Sequence, residues 1–218
     1  MALSDLFSRR RKNEPDSEVH AADAPVHPTK ALARFLSSLG ARDQPHLLDL
    51  GPVVGTNLTF FGEQLGCKMS VEDVSKDVDR HVHEDKTPEL AAFLAKRFPQ
   101  ESGTFDGILC WDVFDYLDKN AGQALAKEMT RLLKPDGVLL AFFNTAEPKA
   151  GEKPSYIRHV VVDPATLQHR PYPAARGKLK PLLNRDIQRM FEPLRITDQF
   201  LLKTNMREVL FRKAAESA

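Results

Sequence analysis

Two acids bracketing a pair of glycines carry the first chemical signal in the chain. Asp49 lies near the end of the apolar run His46 to Leu50. Gly51 and Gly55 follow four residues apart, with Pro52, Val53 and Val54 between them, and Asp73 stands eighteen residues beyond Gly55. A glycine turn after a strand lets a ligand approach the backbone closely, because no side chain intervenes. The helix that follows such a turn aims free amide groups at the same ligand. Asp49 at the strand end can hold the turn or attract a positive group. A carboxylate at the next strand tip can accept both hydroxyls of a ribose. Together these residues suit a nucleotide-type cofactor; the competing reading is a plain bend after a buried strand.

The elements that must position them alternate along the chain. Thr29 is expected to cap a helix carrying Leu32, Phe35, Leu36 and Leu39 on one face, stopped by Gly40. His46 to Leu50, Cys67 to Val71, Phe105 to Trp111 and Val138 to Phe143 read as strands. Helices are expected over residues 57–65, 87–98 and 121–133, and another from Asn184 or Asp186. VLLAFF, residues 138–143, is apolar on both faces, which fits a parallel sheet covered by helices on each side. Leu194 to Leu202 and Glu208 to Arg212, joined by Lys203-Thr204-Asn205, read as an antiparallel hairpin. Residues 1–28 are expected to be a flexible tail and 29–218 a single domain. Within it, 144–184 reads as an insertion and possible substrate lid, with one short strand-like run, His159 to Val162.

The totals narrow the choices. The chain has 218 residues, 42% of them hydrophobic, enough for one domain with its own core. A net charge of +1 offers no broad phosphate-binding face, so no nucleic-acid partner is expected. Cys67 and Cys110 sit in apolar runs without metal spacing and read as reduced thiols in a reducing, cytoplasmic compartment. No run is long enough for a transmembrane segment. Arg9, Arg10, Arg11 and Lys12, behind Leu3, Leu6 and Phe7, are a solvated tail or a contact for a membrane surface or protein partner.

In this order along the chain the motifs resemble those of a class I S-adenosylmethionine-dependent methyltransferase. Asp49-Leu50-Gly51-Pro52-Val53-Val54-Gly55 is similar to the family's acid-x-Gly-x-Gly-x-Gly turn, and Asp73, with Glu72 beside it, to its ribose-binding acid. The run from Phe105 to Val113 resembles the fourth strand, and Leu132 to Gly137 the turn before the fifth. The resemblance spans residues 30 to 145 and the C-terminal hairpin. It implies an α/β fold, a Rossmann-like, doubly wound, mostly parallel seven-stranded sheet with a C-terminal antiparallel hairpin. It also implies S-adenosylmethionine as cofactor, with Gly51, Pro52 and Gly55 at its methionine end, Asp73 or Glu72 on the ribose, and the backbone of Cys110 and Trp111 toward the sulfonium. Two departures stand out. Val53 replaces the middle glycine and is expected to narrow the approach to the methionine part. No third strand ending in an acid appears between Asp73 and Phe105.

A general base is needed only where the methyl acceptor carries a proton. Asp112, Asp115, Tyr116, His159 and His169 are all open for that role, with helix capping as the competing role of the two acids. His81 and His83, flanked by Asp79 and Glu84, would share one face of a strand, but no third ligand accompanies them and no metal is expected. RGKLKPLLNR, residues 176–185, reads as a solvated basic loop, with contact to an anionic substrate as the alternative. CWDVFD, residues 110–115, lacks the Asn-Pro-Pro-aromatic run of many base-amine enzymes in the resembled superfamily, which favours a small-molecule acceptor. Two alternatives remain. One is a catalytically inactive scaffold or protein-interaction module. The other, a nicotinamide oxidoreductase, would want Gly-x-Gly-x-x-Gly.

Overall fold

A computed structural model describes residues 24–40, 42–149 and 151–215. The basic cluster at residues 9–12 lies outside the described residues.

The central sheet is built around middle strands buried from both sides, with half-buried or exposed strands at its edges. β2 (His46–Asp49), β3 (Lys68–Val71), β4 (Phe105–Trp111) and β5 (Leu133–Asn144) are parallel, in the order β3-β2-β4-β5. β9 (Met206–Arg212) adds to β5 antiparallel and β8 (Arg195–Leu201) adds to β9, as the C-terminal hairpin pattern predicts. Along β5 the side chains alternate: Leu139, Ala141 and Phe143 enter one core, and Val138, Leu140 and Phe142 enter the other. The first core is covered by α3 (Val74–His83), α4 (Leu90–Leu94), α5 (Lys119–Leu132) and α6 (Asn184–Met190). The second is covered by α1 (Ala31–Leu39) and by Phe60 and Phe61, which follow α2 (Gly55–Leu58) on a π-helical turn over Thr59–Gln64.

The expected count of seven strands is corrected to six in the central sheet among the described residues. From Asp73 to Phe105 the chain is helical wherever it is regular, through α3, a 3₁₀ turn at Thr87–Glu89 and α4. Val74 and Val78 recur at a helical spacing and are buried, so no period-two stripe exists to build a strand. His81 and His83 accordingly lie on α3 rather than on a strand. Each ring nitrogen Nδ1 meets a backbone oxygen one turn earlier, of Asp77 and Asp79.

The expected tail and insertion are also revised. β1 (Val26–Pro28), inside the segment read as a tail, pairs with β7 (Thr166–Pro173), which pairs with β6 (Ser155–Asp163). The sequence reading found only the core of β6. Pro171 and Pro173 disguise β7, yet they break nothing. His169 donates its amide to Pro25 on the outer side of the strand, so the same-parity positions 171 and 173 face outward beyond the end of β1.

Helix α1 is capped in an unforeseen way. Thr29 Oγ1 meets the Leu32 amide at a long 3.4 Å, while the amides of Lys30 and Ala31 both donate to Glu208 Oε2 at 2.8 Å. A carboxylate from β9 therefore satisfies the helix start. On the same face, β4 carries Gly107 so that α1 can approach. A Cβ there would stand 2.7 Å from Leu47 Cδ2 and 2.8 Å from Phe35 Cζ. Gly107→Ala is therefore expected to overpack this contact and lower stability by about 1–3 kcal/mol, read as a lower urea midpoint at unchanged slope.

Candidate active site

The sheet order reverses at β2: β3 lies on one side of it and β4 on the other, so the crevice outside their carboxyl ends is a topological switch point. Asp49 ends β2 there and is buried. Its Oδ1 accepts from the Gly51 amide at 2.8 Å and from Trp111 Nε1 at 2.7 Å, tying the turn to the tip of β4. Burial pushes its pKa up to about 6 against those two donors. Trp111 adopts φ 48°, a left-handed conformation costly for a bulky residue, beside the register shift between β4 and β5. Its indole takes the space that Gly51 leaves free: a Cβ on Gly51 would lie 3.0 Å from Trp111 Cδ1. Gly55, by contrast, has nothing within 4 Å of where a Cβ would stand. The expectation for Val53 is corrected. It is 65% exposed and does not line the crevice, and Val54 lines it instead.

The crevice holds about 30 Å³ of free space, roughly a water or two, so a guest of cofactor size enters only if the residues over it move apart. Of the residues expected at a cofactor, Gly51, Pro52, Cys110 and Trp111 line it, and Asp49, Gly55, Glu72 and Asp73 do not. The two neighbouring acids part company. Glu72 turns to Arg97 at 2.9 Å and to Gln100. Asp73 accepts from Ser75 Oγ, and Ser75 lines the crevice.

The β6–β7 hairpin supplies Tyr156, Ile157, His159 and Tyr172 to the lining. Asn57, on α2, holds β6 by both ends of its amide. Nδ2 donates to the His159 carbonyl at 2.8 Å, and Oδ1 accepts from the Val161 amide at 2.8 Å. Tyr172 OH meets Ser75 Oγ at 2.9 Å, and Tyr156 OH donates to Asp79 at 2.7 Å.

At the tip of β4 lies a buried charge cluster. Lys178 Nζ is 2.7 Å from Asp112 Oδ2 and 3.0 Å from Asp115 Oδ2, and His159 Nε2 is 3.0 Å from Asp112 Oδ1. Asp115 also accepts the Asn144 amide on both oxygens at 3.0 Å. Although burial opposes it, the charge of Lys178 and the hydrogen bonds from Lys178 and His159 hold Asp112 well below the usual carboxylate range. Burial raises Asp115 to about 6. Neither acid makes a side-chain helix cap, and Lys178 is no solvated loop cation. Both readings are corrected by the ion pairs. The His159 ring stacks on Trp111, centroids 5.2 Å apart at 10°, and meets His169 edge-on at 4.8 Å. His169 and Lys178 also line a second cavity of about 340 Å³, which shares Ile157 with the crevice. Sequence reasoning missed Asn57 and Tyr156, whose types and neighbours carry no local signal of a shared site.

Two outcomes follow from this geometry. Asn57→Ala strands a buried carbonyl and a buried amide, so stability should fall by about 2 kcal/mol or more, and amides of residues 155–173 should exchange faster with deuterium. Asp49→Asn keeps an oxygen acceptor for Gly51 and Trp111 but removes the buried charge. The folded pKa of Asp49, about 6, lies above its reference value of 3.8, so its native-state stability is intact below pH 3.8 and declines as pH rises through 6. The variant should therefore be more stable than the parent by up to about 3 kcal/mol at pH 8 and little changed at pH 4, measured by urea unfolding at both pH values.

A family model described as a methyltransferase domain matches residues 21–192. A curated relative, the uncharacterized protein RP028 of Rickettsia prowazekii (strain Madrid E), is 28% identical over 106 residues; the match covers 45% of this chain and 42% of the relative. Among solved structures, one from Galdieria sulphuraria, provisionally described as a sarcosine dimethylglycine methyltransferase, superposes with TM-score 0.50 at 16% identity over 84% of each chain. The 1,6-didemethyltoxoflavin-N1-methyltransferase of Burkholderia thailandensis, solved with 1,6-didemethyltoxoflavin and S-adenosylhomocysteine, gives TM-score 0.49 at 15% identity, covering 85% of this chain and 77% of that one. At such identities the structural likeness speaks to the fold alone. The family model spans well over half of the chain, and on that match the protein belongs to the methyltransferase domain family.

Proposed function

We propose that the chain binds S-adenosylmethionine in the crevice between the tips of β2 and β4 and transfers its methyl group to a small-molecule acceptor. The observation that carries this reading is the position of the crevice: it opens at the switch point of the sheet and is lined by Gly51, Pro52, Cys110 and Trp111. The open space beside Gly55 and the exposure of Val53 leave the turn free to receive the methionine end. Asp73, one hydrogen bond from the lining through Ser75, is the reading's ribose acceptor; Glu72 is occupied by Arg97. S-adenosylmethionine supplies a methyl on a positive sulfonium, a leaving group already activated. The chain's own task is then to orient the acceptor and exclude water, which is worth several kcal/mol, on the order of 7 in favourable cases. Residues 144–184 act as a lid in this reading: Tyr156 and Tyr172 roof the crevice, and the Tyr172–Ser75 contact would part on entry.

Among the described residues no helix is long and apolar enough to cross a membrane. The free thiols of Cys67 and Cys110 support a cytoplasmic setting.

A second reading, a scaffold that keeps the fold without the chemistry, draws on one observation: the Trp111 indole fills the space beside Gly51. Calorimetric titration with S-adenosylhomocysteine separates the two. Saturable heat is expected, with Asp73→Ala weakening affinity about tenfold or more and Val53→Gly changing it little. Titration without heat at millimolar ligand would leave only the scaffold.

A further inference from the structure

His159 keeps a buried nitrogen that no group among the described residues uses. Its side chain is 1% exposed, Nε2 faces Asp112, and Nδ1 has no hydrogen-bond partner among the described residues. Asp112 is ionised beside Lys178, and a carboxylate only accepts, so the ring must carry its hydrogen on Nε2. In the neutral ring this leaves a bare lone pair on Nδ1. The ring cannot readily turn to pair it. Trp111 stacks on one face, and Phe142 and His169 pack against it at 5.3 and 4.8 Å. A buried acceptor left open in this way demands a cause. Here it belongs to a ring that lines the crevice, next to Cys110 and Asp112.

We propose that His159 Nδ1 is the general base of this site and that the methyl acceptor is a hydroxyl compound of phenol or enol type. The inference rests on the methyl-transfer reading above. A neutral amine already holds a free pair and attacks without help. A neutral hydroxyl would be left as an oxonium unless its proton departs as the new bond forms. Nδ1 takes that proton, and the pair of the broken O–H bond stays on oxygen. There it forms the bond to the methyl carbon, while the carbon–sulfur pair leaves with the sulfur. The imidazolium so formed is balanced by Asp112. Asp112 and Lys178 are positioning residues: one sets the tautomer and the other keeps the first ionised. His169, the nearest other imidazole, is held neutral because burial lowers its pKa to about 3, so it adds no opposing charge.

The test uses the full chain labelled with ¹⁵N-histidine at pH 8, with and without S-adenosylhomocysteine. Two-bond proton–nitrogen spectra report which ring nitrogen of His159 carries hydrogen. Hydrogen on Nε2 and a bare Nδ1 are expected, with the Nδ1 resonance moved by added phenol and not by aniline. Asp112→Asn, whose amide can donate to Nε2, should populate the opposite tautomer. His159→Gln, checked for native thermal unfolding, should lower methyl transfer to phenol by about 100-fold or more. Hydrogen on Nδ1 in the parent chain, an Nδ1 resonance indifferent to phenol, or undiminished transfer in His159→Gln overturns the proposal. Lack of S-adenosylhomocysteine binding by calorimetry would instead reject the methyl-donor reading, while the tautomer and the phenol response still decide the base.

Discussion

One ammonium group organises the tips of the sheet. Lys178 Nζ sits between Asp112 and Asp115, within 3.0 Å of both, at the point where β4 gives way to a 3₁₀ turn over Val113–Tyr116. Two buried carboxylates three residues apart repel each other and cannot both stay ionised without a cation. Lys178 is that cation. Because it comes from the segment that follows the hairpin, the pairing also fixes where the chain returns to the sheet: the next amide, of Leu179, donates to the Asp115 carbonyl at 2.7 Å. Removing one partner of such a buried set leaves uncompensated charge, worth about 3–5 kcal/mol. The hairpin and the sheet are therefore one unit, not a core with a loose appendage.

The same cluster links two cavities. Asp112 faces the crevice at the switch point, and Lys178 faces the larger cavity outside β5. Between them stand Ile157 and the paired His159 and His169, directly opposite each other in the β6–β7 ladder. The crevice beside the glycine turn is narrow and the cavity on the insertion side is roomier. Trp111 stands on the crevice side of this arrangement. It is anchored by Asp49, it closes the space over Gly51, and it stacks on His159.

The framework of the fold was legible because burial on both faces leaves a compositional trace. The run from Phe105 to Trp111 matches β4 residue for residue, and VLLAFF lies wholly inside β5. The glycine turn, its preceding acid and the acids after β3 were legible for the same reason: strand ends punctuated by glycine and acid stand out against apolar runs. What misled was chemistry read from one position alone. Val53 looked obstructive because the motif puts a glycine there, yet a turn can rotate a side chain outward, and this one does. Lys178 looked solvated because basic residues surround it in sequence, and β7 looked like loop because of its prolines.

The sequence by itself determined the layered α/β plan, which depends on periodicity, and the order of its motifs carried the resemblance to the family. Only the tertiary structure decided which acids face the crevice, that Glu208 caps α1 from across the molecule, and that Asn57, Lys178 and His159 belong to one site. The last two of those facts are pairings between residues more than 45 positions apart. A hydrogen bond depends on distance and angle in space, and nothing in the identity of either partner announces the other.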